Sequence, residues 1–194
     1  MITVTKFRKT GRKIRFRLIL SLMLACVFLL KAEVITPAAS TRTVKLLPDT
    51  KYETALTVID SGRSGPTVLV VGGVHGSEPA GYRAADQLKE ESIAAGRLLI
   101  LPRANAIGVK KGLRAPAETG NLNRNFPSAK NGSAEGALAK AILAMMKEYR
   151  PDWVIDLHEG TNYAGLSSSD SVGQSVIYYP SGKAGAGAKR SSAL

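Results

Sequence analysis

One cysteine, two histidines and one tryptophan occur in 194 residues, and aromatic residues make up only 6%. Cys26 falls inside an apolar run near the N-terminus, so the chain beyond it has neither disulfides nor a thiol nucleophile. Lipid attachment at Cys26 does not fit either, because Val27, Phe28, Leu29 and Leu30 follow where polar residues belong. No uncharged apolar run reaches the ~20 residues of a membrane span, the longest being Leu18 to Leu30. Internal repeats are absent. Apolar residues at 44% and charged residues at 22% are near globular averages, which excludes disorder, collagen-like and coiled-coil architectures. The length suits one ordinary domain.

Charge is unevenly spread. The net +12 concentrates in residues 1–40, which hold eight Lys/Arg and one acid, against nineteen and fourteen in residues 41–194. Lys6, Arg8, Lys9, Arg12, Lys13, Arg15 and Arg17 precede the apolar run, and Lys31 and Glu33 close it. That is the layout of a secretory signal, whose apolar core spans about 7–15 residues. The basic flank stays in the cytoplasm and the remainder is exported. We therefore expect residues 1–40 to be a signal peptide, cleaved among the small residues Thr36 to Thr41, or an uncleaved N-terminal anchor. The protein is then secreted or associated with the cell envelope, touching membrane only through this leader. Lys110, Lys111 and Arg114 form a small basic cluster without aromatic neighbours, so no nucleic-acid partner is expected.

From Thr41 onward, strands are predicted over Thr41–Leu47, Glu53–Asp60, Thr67–Val71, Leu98–Leu101, Trp153–Leu157 and Val176–Tyr179. Helices are predicted from Pro79 to about Ala95, with Gly96 just past the end, and over Glu135–Tyr149, closed by Pro151. In the second helix, Ala137, Ala141 and Met145, with Leu138 and Ile142, have helical spacing. A polar loop of some thirty residues follows the fourth strand, and loops of that length are usually functional. The order argues for an α/β domain over residues 41–194, its mainly parallel or mixed sheet flanked by helices. Ala184–Leu194 reads as a helix that begins and stops without a cap, so we expect this domain to be truncated at its C-terminus.

His75 and His158 each sit just past the end of a predicted buried strand, where open α/β sheets place ligands. His75 lies in Gly72-Gly73-Val74-His75-Gly76-Ser77-Glu78-Pro79, with Glu78 at the entry to a helix. His158 lies in Asp156-Leu157-His158-Glu159-Gly160, and Asp156, two residues back on a strand, shares its face. Two His and one Glu with a supporting carboxylate suit a three-ligand zinc site with an open fourth position. A dinucleotide-binding loop would need glycine at Val74, and a nucleophile elbow at Ser77 would need glycine at His75 and Pro79.

His75-Gly76-Ser77-Glu78, then Asn121-Leu122-Asn123-Arg124-Asn125-Phe126-Pro127, then Asp156-Leu157-His158, resemble the zinc carboxypeptidases over about residues 65–180. The succinylglutamate desuccinylase/aspartoacylase group is the branch most resembled. The resemblance implies a zinc-carboxypeptidase-like fold and Zn2+ held by His75, Glu78 and His158. It also implies that Asn123 and Arg124 bind a substrate carboxylate and that an upstream arginine, best matched by Arg114, polarises the scissile carbonyl. Guanidinium chemistry suits both tasks, as a planar fork for carboxylate and as a cation beside a developing oxyanion. Asn121 stands where the family usually has Asp, removing a charge that helps orient Arg124.

One family feature is missing. The general-base glutamate lies on a later strand in the family, and the only acid here beyond Glu159 is Asp170. Glu159, adjacent to His158 on a strand, should face away from the metal. The expected function is an exported zinc-dependent hydrolase that cleaves an amide bond near a free carboxylate, in a small peptide or N-acyl amino acid. Export favours a peptide, and the missing base leads us to expect negligible turnover from this chain as it stands. Tyr163, Tyr178 and Tyr179 are candidate pocket or core residues. The rival is a non-catalytic module that binds metal and carboxylate.

Overall fold

The computed structural model describes residues 38–128 and 132–160. The chain divides into two units, Met1–Thr36 and Pro37–Leu194, and the described residues belong to the second. The basic leader with Cys26, the expected strand Val176–Tyr179, Tyr163, Asp170 and the segment 184–194 lie outside the described residues.

Five strands form one sheet: β1 (Ser40–Leu46), β2 (Thr54–Asp60), β3 (Thr67–Gly72), β4 (Arg97–Leu101) and β5 (Trp153–Leu157), in the spatial order β1-β2-β4-β3-β5. β1–β2 and β2–β4 pair antiparallel, whereas β3 pairs parallel with both β4 and β5. The sheet is thus mixed, and parallel pairing is confined to β4-β3-β5. β3, Thr-Val-Leu-Val-Val-Gly, takes the central parallel position that its apolar, mostly β-branched run predicts.

Strand alternation divides the core into two layers. Leu56, Val58, Leu69, Val71, Leu99 and Leu101 face one way and meet Leu138, Ala139, Ile142 and Met145 of helix α3 (Gly136–Tyr149). Ile59, Val70 and Ile100 face the other way and meet Ala85 of helix α1 (Pro79–Gln87). Helices therefore cover both faces. The α3 stripe turns slightly from the expected one, since Ala137 is exposed and Ala139 buried.

Two expectations need correction. The helix expected to reach Ala95 ends at Gln87 and tightens into a 3₁₀ turn, Leu88–Glu90, after which Glu91 is extended. Ile93 packs with Leu88 against the Ile59, Val70 and Ile100 cluster, and Gly96 N–H donates to Arg63 O. Those contacts draw the chain back to the start of β4, which a longer helix would overshoot. The supposed thirty-residue loop also holds a helix, α2 (Ala106–Lys111), and a 3₁₀ turn, Leu122–Arg124. Asn105 caps α2 by accepting from Gly108 N–H, Gly112 closes it, and Lys110 and Lys111 occupy its last turn.

Candidate metal centre

The parallel register sets the site. Gly72 on β3 pairs with Leu157 on β5, so the loop after β3 and the residues after β5 emerge side by side. His75, Glu78 and His158 converge there, with ligand atoms within 4.8 Å of one another. The imidazole centroids are 5.0 Å apart.

The β3–α1 loop is held from behind by α2. Gly76 N–H donates to Leu113 O at 3.0 Å, and a Cβ on Gly76 would lie 1.9 Å from Gly108 O. Only glycine lets the two backbones approach so closely, and this contact seats His75, which is 1% exposed. Asn105, fully buried, ties the β4 exit to the same loop through its N–H to Gly73 O, and its Nδ2 donates to Thr119.

Glu78 is the hub. Its Oε1 faces His75 Nδ1 at 2.8 Å and accepts from Arg114 Nη1 at 2.5 Å. Its Oε2 faces His158 Nδ1 at 2.7 Å and accepts from Glu159 N–H at 3.3 Å. The outer nitrogens are held as well, His75 Nε2 by Asn121 Oδ1 at 3.0 Å and His158 Nε2 by Asp156 Oδ2 at 2.9 Å. Asn121 Oδ1 also accepts from Asn123 N–H, which fixes the orientation of its amide.

Four imidazole nitrogens therefore each face an oxygen acceptor. Two neutral imidazoles supply only two N–H donors for these four acceptors. Whichever tautomer each neutral ring adopts, two of the four nitrogens face an acceptor without a proton between them, an arrangement that added protons or, at the two Nδ1 atoms, one divalent cation would stabilise. The hydrogen bond to Asp156 raises the His158 pKa to about 9 against the opposing effect of burial, with Glu78 adding to the rise. Burial alone would raise the Glu78 pKa, but the His158 hydrogen bond, the Glu159 N–H and the two imidazoles together lower it.

The structure thus brings His75, Glu78, His158, Asp156 and Arg114 into one cluster. Asn123 and Arg124 are exposed on the 3₁₀ turn, where Asn123 N–H donates to Asn121 Oδ1 and Arg124 Nη1 donates to Asn123 O. Asn121, expected to matter through Arg124, instead supports His75. The asparagine heading the Asn121–Pro127 motif marks that position, but spacing alone does not show which histidine it reaches. Of the basic cluster, Lys111 pairs with Glu118 and Arg114 with Glu78.

Fold and site together define a class: layered α/β proteins with ligand groups at the carboxyl ends of parallel strands. Residues 64–174 match the succinylglutamate desuccinylase/aspartoacylase catalytic domain, more than half of the chain, and the chain belongs to this family. It is 37% identical over 110 residues to the N-alpha-acetyl-L-2,4-diaminobutyric acid deacetylase of Halomonas elongata, covering 54% of this chain and 31% of that protein. Product-bound EutE (DoeB), the ectoine utilization protein of Ruegeria pomeroyi, is 30% identical with a TM-score of 0.51, over 63% of this chain and 40% of that one. An aspartoacylase family protein of Mesorhizobium loti is 31% identical with a TM-score of 0.51, over 64% of this chain and 41% of that one. The chain spans less than half the length of each of these relatives.

Proposed function

We propose that this protein is a zinc-dependent hydrolase that cleaves an amide bond near a free carboxylate. The observation that carries the reading is the convergence of two imidazole Nδ1 atoms and one carboxylate, with both outer nitrogens held by acceptors. That donor set suits zinc, whose catalytic sites commonly take three protein ligands and leave one position open. His75, Glu78 and His158 would hold the ion, which when bound supplies a Lewis acid that acidifies water and polarises a carbonyl.

The chain's own residues do the rest. Asn121 and Asp156 orient the two rings so that their Nδ1 atoms face inward. Arg114 has N–H donors beyond the one on Glu78 and would stabilise the oxyanion that develops on the substrate carbonyl. Asn123 and Arg124, exposed on the turn that follows Asn121, would bind the substrate carboxylate. The Halomonas elongata relative, a deacetylase, shifts the preferred substrate from a peptide toward an N-acyl amino acid. Residues 1–40 would serve as signal peptide or anchor and residues 41–194 as the family domain, so that the activity would lie in the cell envelope or outside the cell.

A second reading, a module that binds metal and carboxylate without turnover, has one observation in its favour. Glu78, Asp156 and Glu159 are each engaged in hydrogen bonds, so none of these three carboxylates stands free to serve as general base. The experiment is elemental analysis of purified protein, followed by assay of the zinc-loaded chain on a panel of N-acyl amino acids and dipeptides. About one zinc per chain, lost in His158→Ala, is expected for the metal site. Unchanged zinc in that variant refutes the site; turnover by this chain or by a version extended at the C-terminus supports the hydrolase, and zinc without turnover in both selects the binding module.

A further inference from the structure

Glu78 occupies the N-cap position of α1, with non-helical φ −116° and ψ 71°, yet its side chain does not cap the helix. An N-cap side chain ordinarily accepts from the first free backbone N–H groups of its own helix. Here Pro79 follows at the first helical position and has no N–H to offer. The next residue is Ala80, and its N–H donates to Glu159 Oε2 at 2.9 Å. The cap of α1 is thus supplied from the far end of β5, which leaves the Glu78 carboxylate to face the two histidines.

Two further contacts join the same pair of segments. Glu159 N–H donates back to Glu78 Oε2 at 3.3 Å, so Glu78 and Glu159 are linked reciprocally around the turn into α1. A Cβ on Gly81 would lie 2.4 Å from Leu157 O, so the first turn of α1 rests directly on the β5 backbone. This approach and the Glu159 hydrogen bond fix the start of α1 against the strand end that carries His158. The geometry points to Glu159 as a positioning residue: it clamps the α1 N-terminus to the end of β5 and thereby sets the reach of Glu78 relative to His158. Its carboxylate is committed to Ala80 and does not act as a general base.

This inference rests on the metal reading above, and the test separates the two. Zinc affinity is measured on the full chain by competition with a chromophoric chelator, beside amide exchange at Ala80 in metal-free protein. Glu159→Ala removes the acceptor; it should speed Ala80 exchange and weaken zinc about 10–100-fold, as loss of a residue that orients a ligand does. Glu159→Gln keeps an oxygen acceptor and should stay within about fivefold of the parent, the size of a lost charge at a helix end. A merely structural role would lower thermal stability without this split between Ala and Gln. If Glu159→Ala fails to fold, Glu159→Asp, with the same charge on a shorter arm, carries the expectation of weaker zinc and faster Ala80 exchange. Parent-like zinc affinity in the folded Ala or Asp variant overturns the clamp alone. A parent chain that binds no zinc overturns the clamp's effect on metal together with the metal reading. Measurable hydrolysis by the parent chain that Glu159→Gln abolishes with zinc intact makes Glu159 the general base and overturns its assignment as a positioning residue.

Discussion

The two halves of the site are built differently. His75 is 1% exposed, on a loop backed by α2 and by the fully buried Asn105, and its outer nitrogen meets a neutral amide, Asn121. The His158 side chain is 33% exposed at the end of β5, and its outer nitrogen meets a carboxylate, Asp156. Among the described residues β5 is an edge of the sheet, where Val154 and Ile155 keep 49% and 47% of their surface. Packing orients one histidine and charge the other. Where close-packed backbone already limits a ring's freedom, a neutral acceptor suffices. At an exposed strand end, the hydrogen bond itself has to do more of the orienting, and an ionised acceptor makes a stronger bond.

Glu78 is shared by both halves, so its removal should have the largest effect. Glu78→Ala deletes the carboxylate on which both Nδ1 atoms converge and leaves Arg114 without its ion pair. Zinc affinity should fall more than about 100-fold, beyond the range for residues that only orient ligands. Dialysis against chelator followed by elemental analysis would show it, and a variant that retained zinc would mean the two histidines suffice.

The exposed half should be the more sensitive to its supporting residue. Asp156→Ala is expected to weaken zinc by about 10–100-fold, or roughly 1.4–2.7 kcal/mol. A loss of less than about threefold would place the orienting of His158 in packing, as for His75, and erase the contrast.

Breaking the scaffold of the buried half should register as stability. Asn105→Ala strips the α2 cap and the hydrogen bond to Thr119 from a fully buried position, for about 1–2 kcal/mol. Urea unfolding would measure it as a lowered midpoint at unchanged slope. An Asp156→Ala protein should keep the parent midpoint more closely, because Asp156 is exposed.

The same contrast explains what the sequence could disclose. Strand runs such as Thr67–Gly72 are legible because a continuous apolar, β-branched-rich run follows from burial on both faces. The Asp156–His158 contact is legible because residues two apart on a strand share a face, a local rule. The Asn121–His75 contact joins residues 46 apart through a loop, and no periodicity encodes it. Helix α2 carries its own signals in Asn105, Lys110, Lys111 and Gly112, but six residues are too few for an apolar stripe to stand out in a polar segment. The early end of α1 is a tertiary effect, set by where Ile93 packs. Glu159 is expected to face away from the metal, and the contact its carboxylate makes with Ala80 N–H depends on the parallel register of β3 and β5, which no local pattern encodes.

The smallest expected effect comes from making the halves alike. Asn121→Asp would put a carboxylate on the outer nitrogen of His75, as Asp156 does for His158. The new oxygen can still accept from Asn123 N–H, so the turn need not move. A charge-assisted hydrogen bond to Nε2–H makes the ring a better donor at Nδ1. Against this, a second carboxylate close to Glu78 repels it while no cation lies between them. Because packing already limits the orientation of His75, the net gain in zinc affinity should be only about 3–10-fold, or at most roughly 1.4 kcal/mol. Chelator competition measures that gain directly, and thermal unfolding should show a slightly less stable metal-free protein with a larger upward shift on adding zinc. In an Asp156→Asn background the same change should recover part of the lost affinity, since the two rings share one carboxylate hub. A gain as large as the loss in Asp156→Ala would show that burial does not substitute for charge at His75.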